Sequence, residues 1–427
     1  MLMIKGTITA PKGFWAVGVS CGIKESGGLD LGLIVCPSGA TAAAAFTTNK
    51  IVSAAVEVSK KHIKSPKIFA VVVNSGCANA CTGQRGIKNA IEMCAETAAS
   101  VGRGTKDEGR GTRDEGRKVL VASTGIIGHQ LPMKKIMAGI TKAAEHLSDS
   151  SKAGLDFAKA IMTTDTRPKQ AVRRLTIDDG RWTIGKCKPG IKDSVITIAG
   201  VVKGAGMIAP NLATMLCFIT TDAAISKAML SRVLKEAIGD SLNKLTVDGH
   251  QSTNDTAIIL ASGLAGNRPV VSECPRYKKF AAALTELCDD LARQMALDAE
   301  GATRMFKVVV KGAATKGDAA KAARAVANYP LVKCAVHGGD PNWGRIICAV
   351  GSAGVRLNQG KLSCKIGGIT VFRNGAPVRF DEKKASSIIS QPQHTITVDL
   401  GAGKQSDFCY GCDLSAEYVK INAEYRT

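Results

Sequence analysis

The chain alternates short apolar runs with longer stretches of helical spacing. Residues 68–73, 119–122, 195–202, 215–220, 256–262 and 305–310 are strand-length and rich in β-branched or other apolar side chains. That is the pattern of strands buried on both faces. Residues 87–101 place Ala90, Ile91, Cys94 and Ala98 on one stripe, and residues 277–299 do the same with Phe280, Leu284, Leu287 and Leu291, so both are expected to be helices. Further helices are expected over 132–147, 154–161 and, as one long amphipathic element, 225–245. Residues 5–60 read as short strand-like pieces around 9–14 and 42–50, separated by Gly and Pro. The last ten residues read as a closing strand with an aromatic residue, a terminus expected to be packed.

Composition narrows this pattern to one class. With 427 residues, 45% hydrophobic, 22% charged and only 4% aromatic, the chain fits an α/β protein built on small aliphatic side chains. Its 45 glycines exceed the usual share of about 7% and imply many tight turns. The first residues carry no signal-peptide core, and no apolar run has the length of a membrane span, so a cytoplasmic location is expected. Fourteen scattered cysteines, several inside apolar runs, fit a reducing compartment. The pairs Cys77 with Cys81 and Cys409 with Cys412 lie too far apart in sequence for a zinc knuckle to be the natural reading, so no metal is expected. A net charge of +21 attracts anions, whether acidic metabolites or nucleic acid. The basic residues are spread along the chain without an aromatic reading motif, which argues against nucleic acid.

Candidate chemistry gathers where strands run into polar turns. Residues 203–211, from Lys203 to Asn211, form a loop broken by Gly204, Gly206 and Pro210, and Thr214 follows at the junction with the strand 215–220. That places a hydroxyl at the edge of a rigid element, preceded by the small Ala213. The strand starting at Val119 delivers Ser123-Thr124-Gly125, a turn able to aim backbone N–H groups and a hydroxyl at one point, as an oxyanion hole requires. Asn74 and Asn79 stand in a small-residue turn where both can cap backbone groups. Other polar clusters are Thr163 to Thr166, the loop 246–256 with His250, Glu300-Gly301-Ala302-Thr303, the turn 337–345 with one of three Trp, and Asn422 to Thr427. Glu300 follows a helix C-terminus, an electrostatically poor place for a carboxylate. Residues 103–109 recur almost unchanged as 110–116, a charged, glycine-bearing tandem that cannot bury apolar surface.

These strings, in this order, resemble the ornithine acetyltransferase (glutamate N-acetyltransferase) family of arginine biosynthesis over nearly the whole chain, interrupted mainly by the 103–116 repeat. The resemblance implies a layered α/β sandwich of the kind shared with self-processing aminopeptidases, with a smaller C-terminal α/β domain at about 277–427. It implies a precursor cut between Ala213 and Thr214 into chains 1–213 and 214–427, assembled as two alpha and two beta chains. Thr214 is then the nucleophile, Thr124 and Gly125 the oxyanion stabilisers, and Thr166, Lys203, Thr214, Glu300, Asn422 and Thr427 the substrate contacts. No cofactor is implied; N-acetylornithine and glutamate are the substrates, with acetyl-CoA as a second candidate donor. Where the family usually carries an acidic residue this chain has His250, to which no chemistry is assigned.

Elementary chemistry explains the cut. A threonine hydroxyl needs an adjacent base, and cleavage before Thr214 would create an α-amine with an ordinary pKa of about 8 to serve as one. Two other functions compete with acetyl transfer: an aminopeptidase or amidase of the same fold, and a basic nucleic-acid-binding protein suggested by charge alone.

Overall fold

The computed structural model describes residues 2–3, 6–104, 116, 118–177, 194–209 and 215–424. Ala213, Thr214, Thr427 and almost all of the 103–116 repeat lie outside the described residues.

The architecture is layered α/β, and its first layers grow from one strand. After β1 (Leu2–Met3) and β2 (Trp15–Val19), β3 runs for 16 residues, Leu31–Phe46. Its first part pairs with β2 and with β4 (Ile68–Cys77). The register breaks between Val35 and Ala40, where Pro37 cannot donate to a ladder and Gly39 takes φ +74°. Beyond that bulge, Thr41 to Phe46 pair with a different strand, β9 (Thr256–Ala261). Two leaves therefore share β3. One holds β2, β4 and β5 (Val119–Ile126). The other runs β1, β6 (Lys169–Ile177), β7 (Ser194–Lys203), β8 (Leu216–Thr221), β9, β3, giving nine strands in all among the described residues.

The leaves face each other. Ile34, Val71, Val73 and Leu120 from one meet Val201, Phe218, Ile258 and Leu260 from the other, with Phe157 edge-on to Phe218 at 5.6 Å. The alternate residues of the same strands point outward to helices. Val72 and Val121 lie under α1 (Ala54–His62), α2 (Gly83–Gly104) and α3 (Met133–Glu145). Cys217 and Ile219 lie under α5 (Lys227–Gly239) and α6 (Pro275–Leu297), while α4 (Ser151–Ala160) packs on β2. All six residues of β8 are buried, as its apolar run requires.

A second, six-stranded sheet follows: β10 (Met305–Ala313), β11 (Ser363–Ile366), β12 (Ile369–Arg373), β13 (Ala376–Pro377), β14 (Gln393–Asp399) and β15 (Gln405–Cys412). Helix α7 (Lys316–Asn328) covers β10 and β15 with Ala322, Ala323 and Val326. Helices α8 (Pro330–Gly338), α9 (Trp343–Gly351) and α10 (Glu382–Ile389) complete this part, and α11 (Ala416–Glu424) leads back to the loop before β9.

Several expectations are corrected. Residues 42–46 are the tail of the long β3 rather than a separate piece, no strand forms over 9–14, and α1 was not expected at all. On α2 the buried face carries Ala90, Met93, Cys94 and Thr97, whereas Ile91 is 45% exposed. The expected helix over 225–245 is two elements: α5 stops at Gly239, Ser241 donates to Ala237 O, and a 3-10 turn follows at Leu242–Lys244. Most of 337–345 is helical; only residues 339–342 turn, with Gly339 at φ +68° and Asn342 capping α9. Of the C-terminal stretch, residues 418–424 are helix rather than strand, a spacing that puts Tyr418 and Asn422 on one face toward the same cavity. Among the described residues no helix is long and apolar enough to cross a membrane, and no cluster of His, Cys, Asp and Glu could hold a metal ion.

Candidate active site

A cavity of about 310 Å³ opens where the strand ends of the two leaves meet the C-terminal helix. Its first wall is backbone geometry. Strands β4 and β5 run parallel, with Ser75 opposite Thr124 and Gly76 opposite Gly125, and the register shifts just beyond. Gly125 has φ +129°, and a Cβ there would lie 2.3 Å from the Gly76 carbonyl carbon, so no other residue fits. Buried amides hold this turn. Asn74 donates to Cys77 O at 2.8 Å and accepts from Ser123, while Asn254 donates to Ala78 O and Ser123 O at 2.6 and 2.7 Å. From the opposite leaf, Lys203 Nζ donates to Thr124 Oγ1 at 3.1 Å.

Behind this wall lies a buried ionic cluster that the sequence reading missed. Lys169, 1% exposed, reaches Asp165 and Asp298 at 2.5 Å each. Asp165 also accepts from Gly204 N at 2.7 Å and Thr163 N at 3.0 Å, so it ties the corner after Lys203 to the Thr163 turn. Burial pushes the Asp165 carboxyl up, but Lys169 and Lys203 outweigh it and hold the group down at about 2. Burial pulls the Lys203 ammonium below its ordinary value, against the attraction of Asp165. Thr166 donates its hydroxyl to Asp298, and its backbone N–H reaches the same carboxylate at 3.1 Å. Thr163 and Thr164 line the cavity; Thr166 does not.

The facing wall is acidic. Glu300 stands just past the end of α6, its N–H bonded to Ala205 O at 3.0 Å and its carboxylate accepting from Asn422 Nδ2 at 2.9 Å. A Cβ on Gly206 would lie 2.2 Å from that carboxylate, so the glycine lets the loop pass it. Asp248 was also missed by sequence reading. It accepts from Met207 N at 2.6 Å, Ile208 N at 2.9 Å and the Tyr418 hydroxyl at 3.2 Å, and so fixes Met207 at φ +54°. His250 is exposed, with Nδ1 3.5 Å from Asp248. Met207 and Ile208 on one side of the 210–214 segment, and Met215 and Leu216 on the other, all line the cavity.

The ArgJ family model matches residues 15–427. The chain belongs to the ArgJ family. It is 43% identical over 429 residues to the arginine biosynthesis bifunctional protein ArgJ of Symbiobacterium thermophilum, covering 100% of both chains. Among solved structures it is similar to the ArgJ of Bacillus halodurans, with 41% identity, 50% of this chain and 100% of that chain covered and a TM-score of 0.49. It is also similar to the ornithine acetyltransferase of Mycobacterium tuberculosis complexed with ornithine, with 34% identity, 50% and 99% covered and a TM-score of 0.41.

In this ArgJ chain, Thr124, Gly125, Lys203, Glu300 and Asn422 line one cavity although they come from positions spread over most of the sequence. The signal for Asp165 and Lys169 was present as an oppositely charged pair four residues apart beside the Thr163 cluster. Nothing local marked Asp298 or Asp248, whose partners are distant in sequence.

Proposed function

We propose that this family member is a glutamate N-acetyltransferase that moves acetyl from N-acetylornithine to glutamate after cutting itself between Ala213 and Thr214. The observation that carries this reading is the polarity of the cavity: Lys203 and the Thr124–Gly125 turn on one wall, Glu300 and Asp248 on the other. A substrate bearing an α-carboxylate, an acyl carbonyl and a distal ammonium suits that arrangement.

The Thr214 hydroxyl attacks the Ala213 carbonyl, the peptide shifts to an ester, and water hydrolyses it to leave a carboxylate on Ala213 and a free amine on Thr214. That amine, with an ordinary pKa of about 8, then takes the hydroxyl proton as Thr214 attacks the acetyl carbonyl. Thr124 and Gly125 stabilise the oxyanion, the proton passes to the departing ornithine amine, and an acetyl-threonine ester remains. The glutamate amine attacks the ester and leaves as N-acetylglutamate. Glu300, with Asn422, receives the ornithine ammonium, Lys203 and Thr427 belong to the substrate-binding set, and Thr166, bonded to Asp298 behind the cavity, supports that set from outside it. Acetyl-CoA is a second donor for the same ester, and the mature protein assembles from two alpha (1–213) and two beta (214–427) chains, the latter carrying a smaller α/β domain at about 277–427.

Denaturing electrophoresis of purified protein is expected to show two fragments instead of one 44.5 kDa band. Thr214→Ala is expected to remain whole and to transfer no acetyl. A wild-type chain that stays whole yet transfers acetyl defeats the mechanism; acetylornithine hydrolysis without transfer to glutamate points instead to an amidase.

A further inference from the structure

The contact between Lys203 and Thr124 has a direction. A lysine ammonium carries only donors, so in the 3.1 Å contact Lys203 Nζ donates and Thr124 Oγ1 accepts. The threonine hydroxyl has a single proton, and with the ammonium on its acceptor side that proton is left to be given elsewhere. Among the described residues no protein acceptor takes it, and Thr124 lies on the cavity wall beside Gly125. An O–H whose oxygen already accepts from a cation is the stronger donor, because successive hydrogen bonds polarise one another.

Nor is the backbone that carries the ammonium free to shift. Lys203 is the last residue of β7, paired with Leu216 of β8, and the next N–H, that of Gly204, is bonded at 2.7 Å to the buried Asp165. Asp165 is in turn fixed by Lys169 at 2.5 Å. Burial weakens the hydration of Lys203, which leaves more of its field for nearby charge. A lysine serving only as an anchor for a substrate carboxylate needs none of this alignment with Thr124.

We infer that Lys203 is a positioning residue for the oxyanion, acting through the Thr124 hydroxyl to orient and strengthen that donor, besides any carboxylate it receives. This rests on the acyl-transfer reading of the site. Loss of an oxyanion donor outright lowers turnover about 100-fold or more, and weakening one through its partner is expected to lower it about tenfold.

The test uses p-nitrophenyl acetate, which offers an acetyl carbonyl but neither carboxylate nor ammonium. Its burst of p-nitrophenolate reads acyl-enzyme formation alone. In processed protein Lys203→Met is expected to slow the burst about tenfold, and Lys203→Arg, which keeps the cation, to slow it less. In a Thr124→Val background Lys203→Met is expected to add no further loss. An unchanged burst in Lys203→Met, an equal loss in both backgrounds, or a defect confined to the KM for N-acetylornithine overturns the inference. Should Lys203→Met stay uncut with wild-type circular dichroism, the cutting rate becomes the readout, since that attack also involves no substrate carboxylate. Restoration of cutting by Lys203→Arg then supports the role, and failure to restore it overturns it. A wild-type burst without transfer to glutamate refutes the acetyltransferase reading while leaving the Lys203 comparison intact.

Discussion

The two walls of the cavity are made of different material. The wall with Thr124, Gly125 and Lys203 consists of strand ends, anchored in a core where the flanking residues Ala122, Val201 and Val202 are at most 2% exposed. The wall with Glu300, Asp248 and Asn422 consists of a turn, a polar loop and α11, a helix with no buried residue at all. On the proposed reading, strand ends hold the groups that must meet a developing charge, and a turn, a loop and a surface helix hold those that would recognise an ammonium-bearing chain. On that reading catalysis and recognition fall largely to different kinds of backbone.

Three changes probe that division, the largest effect first. Gly125→Ala forces a Cβ to 2.3 Å from the Gly76 carbonyl carbon at a φ of +129°, so the turn must move. Acetyl transfer is expected to fall by about 100-fold or more in kcat with little change in KM. A variant that keeps its kcat would show that the strand-end wall tolerates displacement. Glu300→Gln keeps the shape of the facing wall and the bond from Asn422 but removes a charge. It is expected to raise the KM for N-acetylornithine by about tenfold, the factor for one charge-assisted contact, while kcat changes less. Equal losses in kcat and kcat/KM would instead place Glu300 in the transition state.

The smallest effect is on stability and belongs to the rigid wall. Asp165 is depressed from 3.8 to about 2 in the folded chain, because Lys169 and Lys203 overcome the burial that would raise it. The native state therefore binds fewer protons there than the unfolded one. Its stabilisation is fully present above about pH 4 and is lost as pH falls toward 2. Melting temperatures measured across that window are expected to fall more steeply for wild type than for Asp165→Asn; parallel curves would remove Asp165 from the acid response.

The same division governs what could be read from sequence. Buried strands announce themselves by composition, so β8 and the run into Ser123-Thr124-Gly125 were legible, and with them the rigid wall. Of β3 only the tail was read as strand-like, since Pro37 and Gly39 look like chain breaks and only pairing on both sides carries a strand through them. The closing helix was misread because Tyr418, Val419 and Ile421 favour a strand when judged locally. What makes it a helix is tertiary, the contacts from Tyr418 to Asp248 and from Asn422 to Glu300. The Lys169 cluster draws Asp298 against a residue 132 positions away, which no local pattern encodes. Thr124, Gly125, Lys203, Glu300 and Asn422 were placed together by resemblance; strand and turn patterns alone gave only their local settings.

The order of strands in the larger sheet gives a cut before Thr214 an unusual meaning. Strands β8 and β9 lie after that bond, yet they sit between β7 and β3, which lie before it. The C-terminal fragment would thus supply two strands flanked on both sides by the N-terminal fragment's, antiparallel from Ile198–Thr221 to Lys203–Leu216 on one side and from Thr41–Ala261 to Phe46–Thr256 on the other. The products would be locked together like a key left in its lock, inseparable without opening the nine-stranded sheet, and neither half expressed alone would own the whole of that sheet.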